Sequence, residues 1–559
     1  MGAFSRIVKA VEVKRDDGSS FLSNNDLLPV PVEHRLWKAW SYWTFWIADS
    51  FNLNTFMIAS GLIQAGLSWY LAWLCVIIGY TLAAFFLVGN AIPGAIYHII
   101  FPSYVRASFG VLGGIWPTLN RAFMACVWYG VQSWIGGECV YTLLVAIFPS
   151  FARIHNSIPS SGTDTAHFVS FFLFSFVSLF VIYLPVHTLR HFFTLKAVVS
   201  PIAGLALFAW CISKAGGAGD LVHASSTARG SNLGWAFVSS LMACLGNMAT
   251  LVVNSTDFAS RARRPSDVVI PNLVALPVCF SVVSLFGILI GSSSEVIFGE
   301  FVWSPQEIMA RFVDPSNGAV SSGTRAGVAF ISIGFIIAQI GVNVSANSLS
   351  AGCDLTALAP KFITIRRGGF FCAFIGFVMC PWNLLSSSSN FTNYLSAYTV
   401  FLSSIAGVMI SHYWVVAKQK VKTDDLYTLS RDGAYHYWHG FNLRAFAAYV
   451  AGIAPNLPGF VGAVGHDVPM AATRIYQLSW FVGFFVSSIV YVALCKAFPI
   501  RSLSQEECDT ITMGPYANTL PPTTVEAKDA YLDKASSEFD DDKVSTKSSG
   551  VGNVELVRV

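Results

Sequence analysis

Long apolar runs, most of twenty residues or more, alternate with short polar stretches along most of the chain. A bilayer core of about 30 Å is crossed by about twenty apolar helical residues. The pattern therefore predicts transmembrane helices near residues 40–64, 69–93, 115–147, 168–187, 190–213, 232–255, 270–298, 326–350, 369–386, 391–416, 442–464 and 473–498. The fourth and fifth runs nearly fuse around Leu189 and Arg190. The two ends read differently. Residues 1–38 are polar and close on Asp26-Leu27-Leu28-Pro29-Val30-Pro31, a turn-prone approach to the first span. Residues 501–559 are rich in Ser, Thr, Asp and Lys, and such a segment buries too little apolar surface to fold, so a disordered tail is expected. The expected organisation is an all-α integral membrane protein: a polar N-terminal segment (1–38), ten spans (39–416), two further spans with the loop before them (417–500), and the tail (501–559).

Composition supports this pattern. Apolar residues make up 54% of the chain and charged ones 12%, against about 45–50% and about 25% in soluble domains. The mean hydropathy is +0.57. A net charge of +3 gives no reason to expect a nucleic acid as partner. The 11 cysteines are scattered through apolar runs without a CxxC pair or zinc-like spacing, so no metal or cofactor is expected. No apolar leader precedes the first span, so no cleavable signal is visible. Charge also predicts orientation. If the N-terminus is inside, the inner loops carry Arg106; Arg190 and Lys196; Arg261, Arg263 and Arg264; Lys361, Arg366 and Arg367; and Lys418, Lys420, Lys422 and Arg431. The outer loops carry fewer cations, mixed with Glu300, Glu307 and Asp314. This positive-inside bias places both termini in the cytosol. Lys528, Lys534, Lys543 and Lys547 of the tail are candidate modification sites, with ubiquitin-ligase or trafficking factors as candidate partners.

Four spans contain residues that a purely space-filling membrane helix would lack. Span 1 carries Asp49, Ser50, Asn52, Asn54 and Thr55 within one stretch. Such groups are costly in hydrocarbon unless they face a cavity or a broken helix, whose free ends offer dipoles and unpaired backbone groups to a ligand. Span 3 holds Trp128 and Gln132 at i and i+4, on one helical face. An indole offers a flat stacking surface, and a carboxamide offers a donor beside an acceptor. Together they match a planar ring with a cis-amide edge, such as a pyrimidine or hydantoin. Span 6 has Gly246-Asn247-Met248, then Asn254-Ser255-Thr256-Asp257, and its Gly with Asn at mid-membrane suggests a second interrupted helix. Span 8 carries Gln339, Asn343 and Asn347 along one stripe. The interrupted spans 1 and 6 lie five apart, as do the polar spans 3 and 8. Two inverted repeats of five spans with a site between them would produce this spacing.

These motifs resemble those of the nucleobase-cation-symport-1 family, and most closely its fungal uracil/allantoin permease branch. The resemblance is carried by Asp26-Leu27-Leu28-Pro29-Val30-Pro31, by Trp46-Ile47-Ala48-Asp49-Ser50 with Asn52-Leu53-Asn54-Thr55, by Ala125 to Gln132, and by Asn343-Val344-Ser345-Ala346-Asn347-Ser348 with Gly352 and Asp354; it covers roughly residues 20–500. It implies a LeuT-like fold of ten helices in two inverted repeats plus two more, in a multi-pass plasma-membrane protein. It also implies that Trp128 stacks on a nucleobase-like substrate ring, that Gln132 bonds its amide edge, and that Asn347, with Asn343 close by, supplies the second polar wall. Asn247 and Met248 stand where the bacterial hydantoin transporter has Gly and Trp. A single aromatic face is therefore expected on the ring, with Phe51 as its helper.

The sodium-driven relatives use two adjacent span-8 hydroxyls, and the matching positions here are Gly341 and Val342, which cannot ligate through side chains. The resemblance therefore implies a proton as the coupling ion. Its candidate carriers are Asp49, Asp26, Asp354 and Glu138, with Lys196 and Arg121 as partners, and span 10 around Leu395 is the candidate gate. The expected function is a proton-coupled importer of uracil, with allantoin or uric acid as further substrates. The alternatives are an allantoin- or purine/cytosine-specific permease and a nutrient-sensing receptor on the same scaffold. No catalytic constellation is present to suggest an enzyme.

Overall fold

A computed structural model describes residues 12, 22–24, 26–184, 186–217 and 225–504; the side chains of 186–191, 193 and 317 stand outside that description. The tail from residue 505, with its four lysines, and most of the segment before residue 22 also lie outside it. The described residues belong to the compact unit Met1–Ser504. They contain helices and no named strand.

In chain order the α-helices are α1 (Ala39–Ser50), α2 (Leu53–Gln64), α3 (Trp69–Tyr97), α4 (Phe101–Phe109), α5 (Ile115–Ile147), α6 (Thr165–Tyr183), α7 (Val186–Lys214), α8 (Ser231–Val253), α9 (Ser255–Ala259) and α10 (Pro265–Phe298). They continue with α11 (Pro305–Val313), α12 (Ser322–Val342), α13 (Leu349–Leu358), α14 (Ile365–Val378), α15 (Ser388–Ser411), α16 (Leu443–Ile453), α17 (Leu457–Ala463), α18 (Met470–Tyr476) and α19 (Ser479–Ala497). Ten helical stretches among the described residues are long and apolar enough to cross a membrane. The broken pair α1–α2 and the shorter α14 are consistent with the two remaining expected spans. Exposed Phe85, Phe123, Phe180, Phe330, Phe374 and Ile489 cover the outside of the bundle, which is the surface a bilayer solvates.

The break in span 1 falls where the polar run predicted it. The helix stops at Ser50, and Asn52 caps the next segment by accepting from the Asn54 N–H at 3.1 Å. Span 8 keeps its helical course but loosens to a π-helical turn over Asn343–Ser348, a device common at functional sites. Span 6 corrects an expectation. The helix α8 runs unbroken through Gly246 and Asn247 to Val253, and the interruption comes at Asn254. Gly246 serves close packing, since a Cβ there would lie 2.8 Å from the Leu395 carbonyl oxygen. Asn247 spends its amide on other helices instead of its own backbone. A second correction concerns spans 4 and 5, which part after Tyr183, so Arg190 and Lys196 lie within α7 and not in a loop.

Residues 26–37 lie along one face of the bundle. Val30 donates to the His98 carbonyl at 2.8 Å, and Trp37 pairs with the loop after α9 through Trp37 N–H to Arg261 O and Arg263 N–H to Trp37 O, both at 2.9 Å. The His98 imidazole bonds the Ser260 carbonyl at 2.9 Å. On the opposite face, Ala228 donates to the Gly66 carbonyl and Trp382 to that of Ser161. The cationic loops share the face that carries the N-terminal segment.

Candidate functional site

The break between α1 and α2, the middle of α5, the middle of α8 and the π-helical turn meet around a cavity with about 440 Å³ of empty space. Asp49, Asn52, Asn54 and Thr55 line it from span 1, and Trp128 and Gln132 from α5. Asn247 and Met248 come from α8, and Asn347 from the π-helical turn.

Hydrogen bonds fix how the amides face. The Asn343 Nδ2 donates to the Tyr129 carbonyl at 3.1 Å and to Ser133 Oγ at 2.8 Å. A carbonyl only accepts, so the Asn343 NH2 is committed and its Oδ1 receives the Asn347 Nδ2 at 3.0 Å. That leaves the Asn347 Oδ1 as the acceptor at the cavity wall. Asn343 itself does not line the cavity; it orients Asn347. A second relay runs opposite. The Asn247 Nδ2 donates to Tyr80 Oη at 3.1 Å, and its Oδ1 accepts from Asn54 Nδ2 at 3.0 Å. The Asn54 Oδ1 and the Gln132 Oε1 are buried and have no protein partner. An unpaired buried acceptor costs about 1–3 kcal/mol, which a ligand donor recovers.

The aromatic walls differ from expectation. Trp128 is held edge-on by Phe391, Tyr394 and Tyr398, with centroids 5.8–6.4 Å away. Phe51 does not join the cavity: it packs toward Phe286, at 6.3 Å, and beside Gly204. The second aromatic in the lining is Phe280 of α10, stacked on Tyr80 at 4.4 Å and 27°. Nothing in the sequence distinguishes Phe280, one Phe among 45, from a packing residue.

The charged residues fall into separate groups. Asp49 sits in the last turn of α1, the negative end of that half-helix dipole, where a cation is the favoured neighbour. Buried Lys196 of α7 is the charge that faces it, although no ion pair within 4 Å joins them. The Lys196 stem covers Gly341, whose added Cβ would lie 2.6 Å from Lys196 Cδ. The span-8 positions Gly341 and Val342 therefore offer no side-chain oxygen, and a lysine stem packs against the first of them, so these residues do not fit a sodium ion.

Asp354 lies away from the cavity, in a buried ion pair with Arg121, with Asp257 as their further charged neighbour. Asp257 accepts from the Phe101 N–H at 2.7 Å and from Asn254 at 2.9 Å. Glu138 lies toward the opposite face, paired with His167 at 2.8 Å. Asp26 is exposed on the N-terminal face, lining a crevice of about 800 Å³ with Val344 and Ser348. Leu395 is buried against Gly246. The rings that lie beside Trp128 from that helix are Phe391, Tyr394 and Tyr398.

The sequence profile of the family described as "Permease for cytosine/purines, uracil, thiamine, allantoin" matches residues 29–483. The chain belongs to this permease family. It is 44% identical to the allantoin permease of Saccharomyces cerevisiae over 489 residues, covering 86% of this chain and 76% of that one. It is 42% identical to the uracil permease of the same yeast over 491 residues, covering 86% and 77%. Among solved structures it is similar to Mhp1, a nucleobase-cation-symport-1 family transporter in a closed conformation with bromovinylhydantoin bound. That likeness has a TM-score of 0.69 and 21% identity and covers 87% of this chain and 98% of that one. At that identity it shows the fold, which is a LeuT-like transporter fold. The relatives are permeases, and the chain is a multi-pass membrane protein of a transport family, not an enzyme.

Proposed function

We propose that this permease imports a small planar, amide-edged ring, uracil first, by proton-coupled symport with alternating access. The observation that carries the reading is the pairing inside one cavity of a Trp128 and Phe280 lining with acceptors at Gln132, Asn54 and Asn347. Uracil is flat and presents two N–H donors and two carbonyl acceptors, which suits those groups. The names of the relatives point to the same class, and the similarity to an allantoin permease makes allantoin the second substrate to test. Trp128 supplies the stacking face, Gln132 the amide-edge contact and Asn347 the opposite acceptor.

The coupling ion in this reading is a proton carried by the Asp49 and Lys196 pair, because Gly341 and Val342 lack the hydroxyls a sodium site uses. The Arg121–Asp354 ion pair links α5 to α13 on the side of the N-terminal segment, with Asp257 of α9 as a charged neighbour, and would part when that side opens. In this reading the protein sits in the plasma membrane with that face and both termini in the cytosol, an orientation that the positive-inside bias of the loops supports.

The test is uptake of radiolabelled uracil in a fungal cell lacking its own uracil and allantoin transporters, competed with allantoin, uric acid and cytosine. Uptake should collapse with a protonophore and persist when sodium is replaced by choline. Sodium-dependent uptake that ignores the protonophore would overturn the coupling. Absence of uptake of every one of these rings would overturn the substrate class.

A further inference from the structure

A second cavity opens toward the face opposite the N-terminal segment, with about 1240 Å³ of empty space. Trp134, Glu138 and Tyr141 of α5, His167 of α6, and Trp303 and Gln306 at the start of α11 are among its walls. The helices of the central cavity continue into it. On α5, Gln132 faces the central space and Trp134 the outer one; on α2, Thr55 faces the central space and Met57 the outer. One ring lies between them: buried Phe391 has its centroid 6.4 Å from Trp128 and 6.1 Å from Trp303.

The chemistry of the outer walls repeats that of the inner ones. Gln306 is 5% exposed, and its Nε2 reaches only the Met57 thioether at 3.2 Å, a weak acceptor. Its Oε1 has no partner. A buried carboxamide with an empty Oε1 in a wall that also holds an indole is common to both cavities: Gln306 and Trp303 outside, Gln132 and Trp128 inside. The charges nearby are mostly satisfied among themselves: Glu138 by His167, and Glu300 and Glu307 by Arg311. Such a wall favours a neutral polar ring over an ion.

The start of α11 is also fastened to α2, since Ser60 Oγ donates to the Trp303 carbonyl at 2.5 Å. A ligand held at Gln306 thus touches the segment tied to the half-helix that lines the central cavity.

We propose that the outer cavity is a second binding site for the same class of planar, amide-edged ring, held by Trp303 and Gln306 one aromatic layer outside the central site. This rests on the reading of the central cavity given above. The experiment is equilibrium binding of tritiated uracil, and in parallel tritiated allantoin, to the full-length chain in lipid nanodiscs, with stoichiometry read at saturation. Two ligands per chain are expected in the unmodified protein; at the ligand concentration that just saturates it, Gln132→Ala and Gln306→Ala should each bind about one, because the substituted site is weakened roughly 10- to 100-fold. Trp303→Ala should behave as Gln306→Ala does, and serves in its place if that variant does not fold. One ligand per chain in the unmodified protein, abolished by Gln132→Ala, would overturn the second site and leave the central one standing. No binding of either ring would overturn both.

Discussion

Gln132 and Asn343 are both amides near the ring-binding space, yet they do different work, and substitution separates them. Gln132 lines the cavity with an unpaired Oε1, so in the proposed reading Gln132→Ala removes a direct ligand bond. A hydrogen bond of that kind is worth about 1–3 kcal/mol when its loss leaves a buried group unpaired, so affinity for uracil should fall roughly 10- to 100-fold. Asn343 acts through Asn347. Asn343→Ala should weaken binding by about tenfold, and adding it to Asn347→Ala should cost little more, because contacts in one chain of bonds are not additive. Competition binding on the single and double variants checks both statements; full additivity would show that Asn343 touches the ligand itself. At this scale the sequence was readable where chemistry is unusual. Trp128 and Gln132 stand out because helical spacing puts them on one face, and Asp49 because a carboxylate is rare in a span. Phe280 was illegible, since its role depends on which of many aromatic residues the fold turns inward. Phe51 misled for the same reason: one residue beyond the break, it points to Phe286.

Elements show which polar pattern breaks a helix and which packs it. The Asn52 run interrupts span 1 because Asn52 caps the segment that follows. Gly246-Asn247 carries similar residue types, but α15 presses against Gly246, and Asn247 bonds to Tyr80 and Asn54 on other helices. Sequence cannot tell these cases apart, because the partner helix lies about 150 residues away. The π-helical turn at Asn343–Ser348 was equally hidden, although the amides it carries were plain. The packing role of Gly246 predicts a contrast within one helix. Gly246→Ala forces a Cβ to 2.8 Å from a backbone oxygen and should cost about 1–3 kcal/mol as overpacking. Gly234→Ala, in the same helix with nothing within 4 Å, should be neutral or stabilising by about 0.4–1 kcal/mol. Thermal midpoints of the purified variants should fall for the first and hold or rise for the second.

For the whole molecule, pH is expected to bear on stability and, in the proposed reading, on transport through different groups. In the turn between α3 and α4, burial and Arg35 push the His98 imidazole down to about 4, from an ordinary value of 6.5. The unfolded chain binds a proton there at a pH where the folded one does not, so this contribution is complete above about pH 6.5 and lost as pH falls toward 4. The thermal midpoint should drop across that window, and less steeply in His98→Asn; an unchanged slope would remove His98 from the account.

In the proposed reading transport instead turns on Asp49 and Lys196, which face each other within a membrane-embedded bundle and form no ion pair within 4 Å. Removing one of two facing charges strands the other in a poor solvent, whereas removing both leaves a neutral site. Lys196→Gln should therefore impair all modes of transport, because a lone Asp49 carboxylate must then cross each conformational change unpaired. The double variant Asp49→Asn/Lys196→Gln should recover exchange of labelled for unlabelled uracil across the membrane. It should still fail to concentrate uracil against a gradient, because no proton rides with the substrate. Counterflow and net accumulation measured side by side separate these outcomes. Full accumulation by the double variant would show that the proton travels elsewhere, with the Arg121, Asp257 and Asp354 cluster the next place to look.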